Sequence, residues 1–263
     1  MDLKLRGKRA LITGSTAGIG FAIARGLARE RADVIVNGRT EEKVAEAVRR
    51  ITSEMGSNAT GIAADLSSAE GVNRLLERAG RIDVLINNVG IFEPVPFGEI
   101  SDQDWFRFFE LNVMSGVRLS RALLPGMLRR NWGRIIFISS ESGVQIPAEM
   151  VHYGVTKTAQ LALSRGIAES VAGSGVTVNA VLPGPTRSDG VVDFLGKVAA
   201  EHNADQAAVE AEFLRTMRPS SLVRRFAEPE EVANLVVFLA GEGSSATTGA
   251  ALRVDGGVVR SIV

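Results

Sequence analysis

Arg9-Ala10-Leu11-Ile12-Thr13-Gly14-Ser15-Thr16-Ala17-Gly18-Ile19-Gly20 joins a short apolar run to a glycine-punctuated turn, and a helical pattern, Phe21 through Glu30, follows it. The run reads as a strand, and Gly14, Gly18 and Gly20 permit a tight turn with close backbone approach. The helix that begins there presents unpaired N–H groups and the positive end of its dipole, which suits a diphosphate. Three glycines at these offsets also serve in purely structural turns; the place between a first strand and a first helix is what gives the motif meaning.

Six further runs, Val34–Asn37, Gly61–Ala64, Val84–Asn87, Arg134–Ser139, Val176–Val181 and Ala251–Val254, alternate with longer helical patterns. Together with Arg9–Thr13 they make seven strands. Most are continuous in apolar residues rather than alternating, as strands covered on both faces are, and the intervals are long enough for right-handed crossovers. The expected architecture is α/β: one Rossmann-type domain over residues 1–263, with a doubly wound, seven-stranded parallel sheet and helices on both faces. No repeat or Pro/Gly/Ser linker offers a boundary. Residues 188–225 break the rhythm, with helical spacing of Val191, Val192, Leu195 and Val198, then Phe213, Leu214 and Met217. They follow a strand's carboxyl end, where open sheets bind ligands, so a substrate lid is expected there; the other reading is a surface helix pair.

With 263 residues, 45% of them hydrophobic, the chain can bury one sizeable core. Thirty basic and thirty acidic side chains leave no net field for nucleic acid or an anionic membrane surface, so a small-molecule partner is expected. The chain has no cysteine, which removes disulfides and thiolate chemistry and suits a reducing compartment; the expected location is cytoplasmic. The charged start, Met1 to Arg9, and the break at Gly14 give neither a signal peptide nor a membrane span. His152 and His202 are the only histidines and lack metal-ligand spacing, so no metal is expected.

In a dinucleotide-binding sheet the second strand ends near the adenine ribose. Here that end reads Asn37-Gly38-Arg39-Thr40, with a guanidinium and no carboxylate. Arg39 suits a 2′-phosphate and favours NADP(H) over NAD(H), unless it is simply a solvated loop charge. Farther on, Tyr153, the only tyrosine, precedes Lys157 by four residues, one face of a helix carrying both. A cation beside a phenol stabilises phenolate and lowers its pKa, a pairing suited to redox chemistry at a carbonyl. The same spacing also arises between ordinary surface neighbours.

Taken together these motifs resemble the classical short-chain dehydrogenase/reductase family, and in particular its 3-oxoacyl-[acyl-carrier-protein] reductase-like members, from Lys8 to Gly257. The resemblance rests on Thr13-Gly14 with Gly18-Ile19-Gly20, Asp65-Leu66, Asn87-Asn88-Val89-Gly90, Asn112, Ser139-Ser140, Tyr153 with Lys157, Pro183-Gly184 and Val254-Asp255-Gly256-Gly257. Val89 stands where the family more often has alanine, and Ser188 where it usually has threonine. The resemblance implies that Tyr153 exchanges the proton and Ser140 hydrogen-bonds the substrate oxygen. Lys157 would hold the nicotinamide ribose and tune Tyr153, and Asn112 would anchor a water in the proton relay. Ser140 lies thirteen residues before Tyr153, the family spacing; Ser139 and Ser142 are its rivals.

By the same carry-over, Gly14, Ser15, Thr16, Gly18, Ile19 and Gly20 would hold the diphosphate, and Asp65, with Leu66 beside it, would contact the adenine. Asn87 and Gly90 would line the adenosine side, and Pro183, Gly184, Thr186 and Ser188 would hold the carboxamide. Ile91, Phe92, Gln145, Glu149, His152 and Phe194 are expected pocket walls, implying a partly apolar ketone or secondary alcohol. The family further implies a homo-oligomer, tetramer or dimer, built on the 102–130 and 153–172 helices and the C-terminal strand. An NAD-dependent alcohol dehydrogenase of the same family is the alternative activity, and a catalytically silent dinucleotide-binding regulator the alternative class. A serine hydrolase built on Ser140 and His152 lacks a Gly-x-Ser-x-Gly elbow.

Overall fold

Seven strands, β1 (Arg9–Ile12), β2 (Asp33–Gly38), β3 (Ala59–Ala63), β4 (Val84–Asn87), β5 (Gly133–Ile138), β6 (Val176–Pro183) and β7 (Ala251–Val254), form one sheet in the computed structural model. Their order is β3-β2-β1-β4-β5-β6-β7, and every neighbouring pair is parallel. The structure describes all residues except Met1, Ser57, His202, Asn203 and Val263, so two residues of the expected lid, and one of the two histidines, lie outside the described residues.

Helices α1 (Gly18–Arg29), α2 (Glu41–Met55) and α3 (Ala69–Ala79) follow β1, β2 and β3. After β4 come α4 (Asp102–Phe109) and α5 (Ser115–Arg129); α6 (Val151–Ser170) links β5 to β6. Beyond β6 lie α7 (Asp189–Glu201), α8 (Gln206–Thr216) and α9 (Pro229–Ala240). Successive strand residues point to opposite faces. Ala10, Ile12, Val34, Val36, Val84 and Ile86 therefore pack with Ile23, Leu27, Val232 and Val236 of α1 and α9. Leu11, Ile35, Leu85, Ile135 and Phe137 meet Leu75, Leu119 and Ala168 of α3, α5 and α6. Strands buried on both faces have no polar side to present, which is why they are apolar throughout. Only the edge strands β3 and β7 are substantially uncovered. Among the described residues no helix is long and apolar enough to cross a membrane.

Neighbouring strands of β1 lie on opposite sides of it, β2 on one and β4 on the other, so the connections leaving β1 and β4 diverge and open a crevice at their carboxyl ends. The crevice wall is fastened by Asn88, whose Nδ2 donates to the carbonyls of Thr13 and Gly14, each at 2.9 Å. Thr13 Oγ1 accepts in return from the N–H groups of Asn88 and Val89. Gly20 is held so close behind this clamp that a Cβ there would lie 2.5 Å from Asn88 Nδ2. The helix expected over residues 102–130 is divided: Glu110–Met114 forms a π-turn between α4 and α5. Such wide turns free backbone groups for other partners, and Asn112 sits inside this one.

Replacing Asn88 with alanine strands two carbonyls at the β1 exit. Asn88→Ala is expected to lower the free energy of unfolding by about 2 kcal/mol in urea titration.

Candidate active site

A cavity of about 1000 Å³ occupies the carboxyl ends of the strands, reaching from the β1–α1 turn to α7 and α8. Gly18, Asn88, Gly90, Ser140, Tyr153 and Lys157 line it, with Pro183, Gly184, Thr186 and Ser188 on the β6 side. Residues far apart in sequence meet there because each follows the end of a different strand.

Ser140 lies at the exit of β5 and hydrogen-bonds the Tyr153 phenol. Its rivals are engaged elsewhere: Ser139 Oγ donates to the Lys157 carbonyl at 2.8 Å, and Ser142 Oγ to Glu141 Oε1 at 3.2 Å. Burial pushes Tyr153 up to about 12. The Ser140 hydrogen bond pulls it down, nearby Glu141 pushes it up, and Arg218 draws it down again. A phenol lowered directly by Lys157 was the sequence expectation, and the structure corrects it. Lys157 Nζ stands 5.6 Å from the Tyr153 ring centre and donates instead to the Ile138 carbonyl at 2.9 Å and to Gln160 Oε1 at 3.3 Å. Burial lowers Lys157 itself to about 8, because a desolvated ammonium gives up its proton more readily.

Asn112 is fully committed. Its side chain exchanges hydrogen bonds with both the N–H and the carbonyl of Ile91, at 2.8 and 3.0 Å, and donates to Thr156 Oγ1 at 3.0 Å. Its main-chain carbonyl accepts from Gln160 Nε2 at 2.6 Å. Gly90, expected on the adenosine side, lies at this centre: a Cβ there would be 3.5 Å from Lys157 Nζ and 3.3 Å from Asn112 Oδ1.

The β1–α1 turn divides into scaffold and free donors. Ser15 belongs to the scaffold, since its N–H bonds the Asn37 carbonyl at 2.8 Å and its hydroxyl bonds the Ile12 carbonyl at 2.7 Å and receives the Asn37 N–H. The Gly14 N–H turns to Asn37 Oδ1 at 3.3 Å. Both residues shape the turn rather than reach into the cavity with a free donor. Thr40, Ser68 and Ser101 cap α2, α3 and α4, whereas Ala17 has no side-chain oxygen to cap α1. The Gly18 N–H is met instead by a carboxylate from α7, Asp189 Oδ2, at 2.6 Å. An anionic group thus already sits where helix dipole and open N–H groups favour one, and Gly18, Ile19 and Gly20 line the space beside it, so the turn fits a dinucleotide's diphosphate.

At the far end of that path Thr16 packs close to Gly38. Arg39 is exposed after β2 and, with Arg74, helps hold the Asp65 carboxylate below its usual range, behind the larger effect of the Ser67 N–H hydrogen bond. Leu66 is in the core, and Asn87 is buried with Nδ2 donating to Ser120 Oγ at 3.3 Å and with Oδ1 left without a hydrogen-bond partner. Thr186 Oγ1 donates to the Gly184 carbonyl at 2.9 Å.

Ile91, Phe92, Glu149 and Phe194 line the cavity. Gln145 is exposed and absent from the lining. His152 is also elsewhere: its ring is completely buried 3.9 Å from that of Phe108 and edge-on to Trp105, because a residue adjacent to Tyr153 on a helix points about 100° away from it. Sequence reading missed Glu141 and Arg218. They form a buried ion pair at 2.8 Å beneath the cavity, extended to Glu149 at 3.1 Å, tying the end of α8 to the Ser140 turn. The charge in the segment Glu141-Ser142 directly after Ser140 was the available signal, but its partner lies 77 residues away. Gln160 was missed too, although a polar residue one turn beyond Lys157 could have flagged it.

The sequence model described as short chain dehydrogenase matches residues 8–196. The chain is 48% identical over 263 residues to YvaG, an uncharacterised oxidoreductase of Bacillus subtilis (strain 168), with 100% of both chains covered. It is 34% identical over 263 residues to the 3-oxoacyl-[acyl-carrier-protein] reductase FabG of Aquifex aeolicus (strain VF5), covering 98% of this chain and 100% of that one. Among solved structures, L-sorbose reductase from Gluconobacter frateurii, complexed with NADPH and L-sorbose, matches at a TM-score of 0.94 and 33% identity over 100% of both chains. With a parallel sheet, a crevice and a strand-end cluster of this composition already in place, these likenesses identify the chain as an oxidoreductase of the short-chain dehydrogenase/reductase family.

Proposed function

We propose that the protein reduces a ketone to a secondary alcohol with NADPH, and runs the reverse oxidation, with Tyr153 as the proton donor or acceptor. The observation that carries this reading is the meeting of Ser140, Tyr153 and Lys157 in one cavity that continues to the uncapped start of α1. The nicotinamide supplies the hydride in reduction and accepts it in oxidation.

The chain's own groups do the rest. A phenol held near 12 is protonated at neutral pH, the form reduction needs. The Ser140 hydroxyl and Tyr153 O–H together grip the substrate oxygen, and the Tyr153 proton passes to that oxygen as negative charge develops on it. Lys157, still mostly charged at pH 7, steadies the resulting phenolate and offers N–H donors to the ribose through the gap left by Gly90. Asn112 holds the Ile91 backbone, and with it that gap, in place. Gly18, Ile19 and Gly20 would hold the diphosphate in place of the Asp189 carboxylate, and Thr186 and Ser188 would hold the carboxamide.

Arg39 supports NADP(H) over NAD(H): it is exposed at the β2 end with no carboxylate following it in Asn37-Gly38-Arg39-Thr40, and the L-sorbose reductase neighbour holds NADPH. The substrate side combines Phe92, Val191, Phe194 and Phe213 with Glu149 and Arg218, which suits a ketone of mixed polarity. Helices α7 and α8 act as its lid. Phe106 is 75% exposed on α4, with Phe109 and Val155 also uncovered, so we place a homo-oligomer contact on the α4 to α6 face.

Tyr153→Phe is expected to lower kcat about 10²–10⁴-fold while NADPH binding, followed by fluorescence titration, stays within about threefold. Unchanged turnover would refute the mechanism. Arg39→Ala should weaken NADPH about tenfold or more and leave NADH nearly unaffected; equal losses would remove the 2′-phosphate role. Because Lys157 is needed as the cation, kcat/KM for NADPH, which reports groups of the free enzyme, is expected to fall as pH rises through about 8. A limb appearing only near the ordinary lysine value, 10.5, would contradict that assignment.

A further inference from the structure

Gln160 is buried at 2% exposure on α6, three residues beyond Lys157 and on the same face. Both ends of its amide are used. Oε1 accepts from Lys157 Nζ at 3.3 Å and Nε2 donates to the Asn112 carbonyl at 2.6 Å. The orientation is dictated by chemistry, since an ammonium can only donate and a carbonyl can only accept. A buried amide is costly unless both ends are satisfied, and here the two partners are the proton-transfer lysine and the π-turn of Asn112.

We propose that Gln160 is a positioning residue that suspends the Lys157 ammonium from the Asn112 turn and closes that side of the centre with an amide that does not titrate. The inference rests on the reading of Lys157 given above. An amide holds a donor on one side and an acceptor on the other, but it does not hand on a proton as a water can.

The surroundings of Lys157 sharpen the case. From β5 the Ile138 carbonyl accepts from it, from its own helix Gln160 accepts and the Tyr153 ring centre lies 5.6 Å away, and at the β4 exit a Cβ on Gly90 would fall 3.5 Å from Nζ and 3.3 Å from Asn112 Oδ1 of the π-turn. None of these is a carboxylate. The nearby charges, Glu141 and Arg218, bear on Tyr153, whereas burial is what lowers Lys157. Gln160 is thus one of two neutral acceptors holding a desolvated cation, and its replacement should be felt directly in the lysine's titration.

The test uses Gln160→Glu, nearly the same shape with a charge added, and Gln160→Met, similar in length without the amide. Two readouts are followed: the alkaline limb of kcat/KM for NADPH, and the titration of the lysine Cε resonances by ¹³C NMR in the cofactor-free protein, with Lys157→Arg for assignment. Gln160→Glu is expected to raise both by about one pH unit or more. Gln160→Met should lower both and reduce kcat about tenfold, the kinetic equivalent of one charge-assisted hydrogen bond, with KM for the ketone within about twofold. Wild-type titration of Lys157 in folded Gln160→Glu overturns the proposal. If that variant does not fold, an unshifted limb and titration in Gln160→Met does the same. The NMR arm keeps this separate from the proposed activity: turnover in Tyr153→Phe would dismiss the mechanism while leaving the Lys157–Gln160 coupling to stand or fall alone.

Discussion

The strand order reverses at β1, and everything functional in this molecule depends on that reversal. With β2 on one side and β4 on the other, the connections from β1 and β4 must part, and a parallel sheet sends all its strand exits to the same edge. The turn before α1, Asn88 and Gly90 after β4, Ser140 after β5 and Pro183 after β6 are gathered by this constraint alone. Asn88 and Thr13 then lock the two central exits together across the opening, so the crevice has a rigid floor.

On that floor the chemistry is governed by burial. Removing water raises the phenol of Tyr153 and lowers the ammonium of Lys157, moving the two groups toward retaining and releasing a proton respectively. The short polar contacts around them oppose that tendency selectively. Ser140 eases the phenol downward, while the Ile138 carbonyl and Gln160 hold the ammonium in place without adding a countercharge. The π-turn matters here because it carries Asn112, whose carbonyl accepts from Gln160 Nε2 at 2.6 Å.

The α7–α8 segment is tied to this centre at both ends. Its first helix reaches the α1 start through Asp189, and its second is followed by Arg218, buried against Glu141 next to Ser140. Breaking such a buried pair leaves an uncompensated charge, so the distal end of the segment is anchored. The proximal contact is exposed and competes with any diphosphate for the Gly18 N–H.

Apolar continuity in Val84–Asn87 and Val176–Val181 and the glycine turn at Gly14 to Gly20 were sufficient to infer the seven-stranded parallel sheet, because strands covered on both faces and a helix start meeting phosphate impose local composition. Tyr153 with Lys157 was legible for the same reason: i and i+4 on a helix is a local geometry. What the amino-acid order left open was decided by contacts between distant segments. His152 faces Phe108 and not the cavity, Ser15 is absorbed by Asn37, Glu141 finds Arg218, and Gln160 finds Asn112. Each depends on which partner the folded chain brings within about 3 to 4 Å, a distance over which hydrogen bonds and ion pairs act and periodicity carries no information. The pKa directions of Tyr153 and Lys157 belong to the same class, since burial is a property of the whole fold.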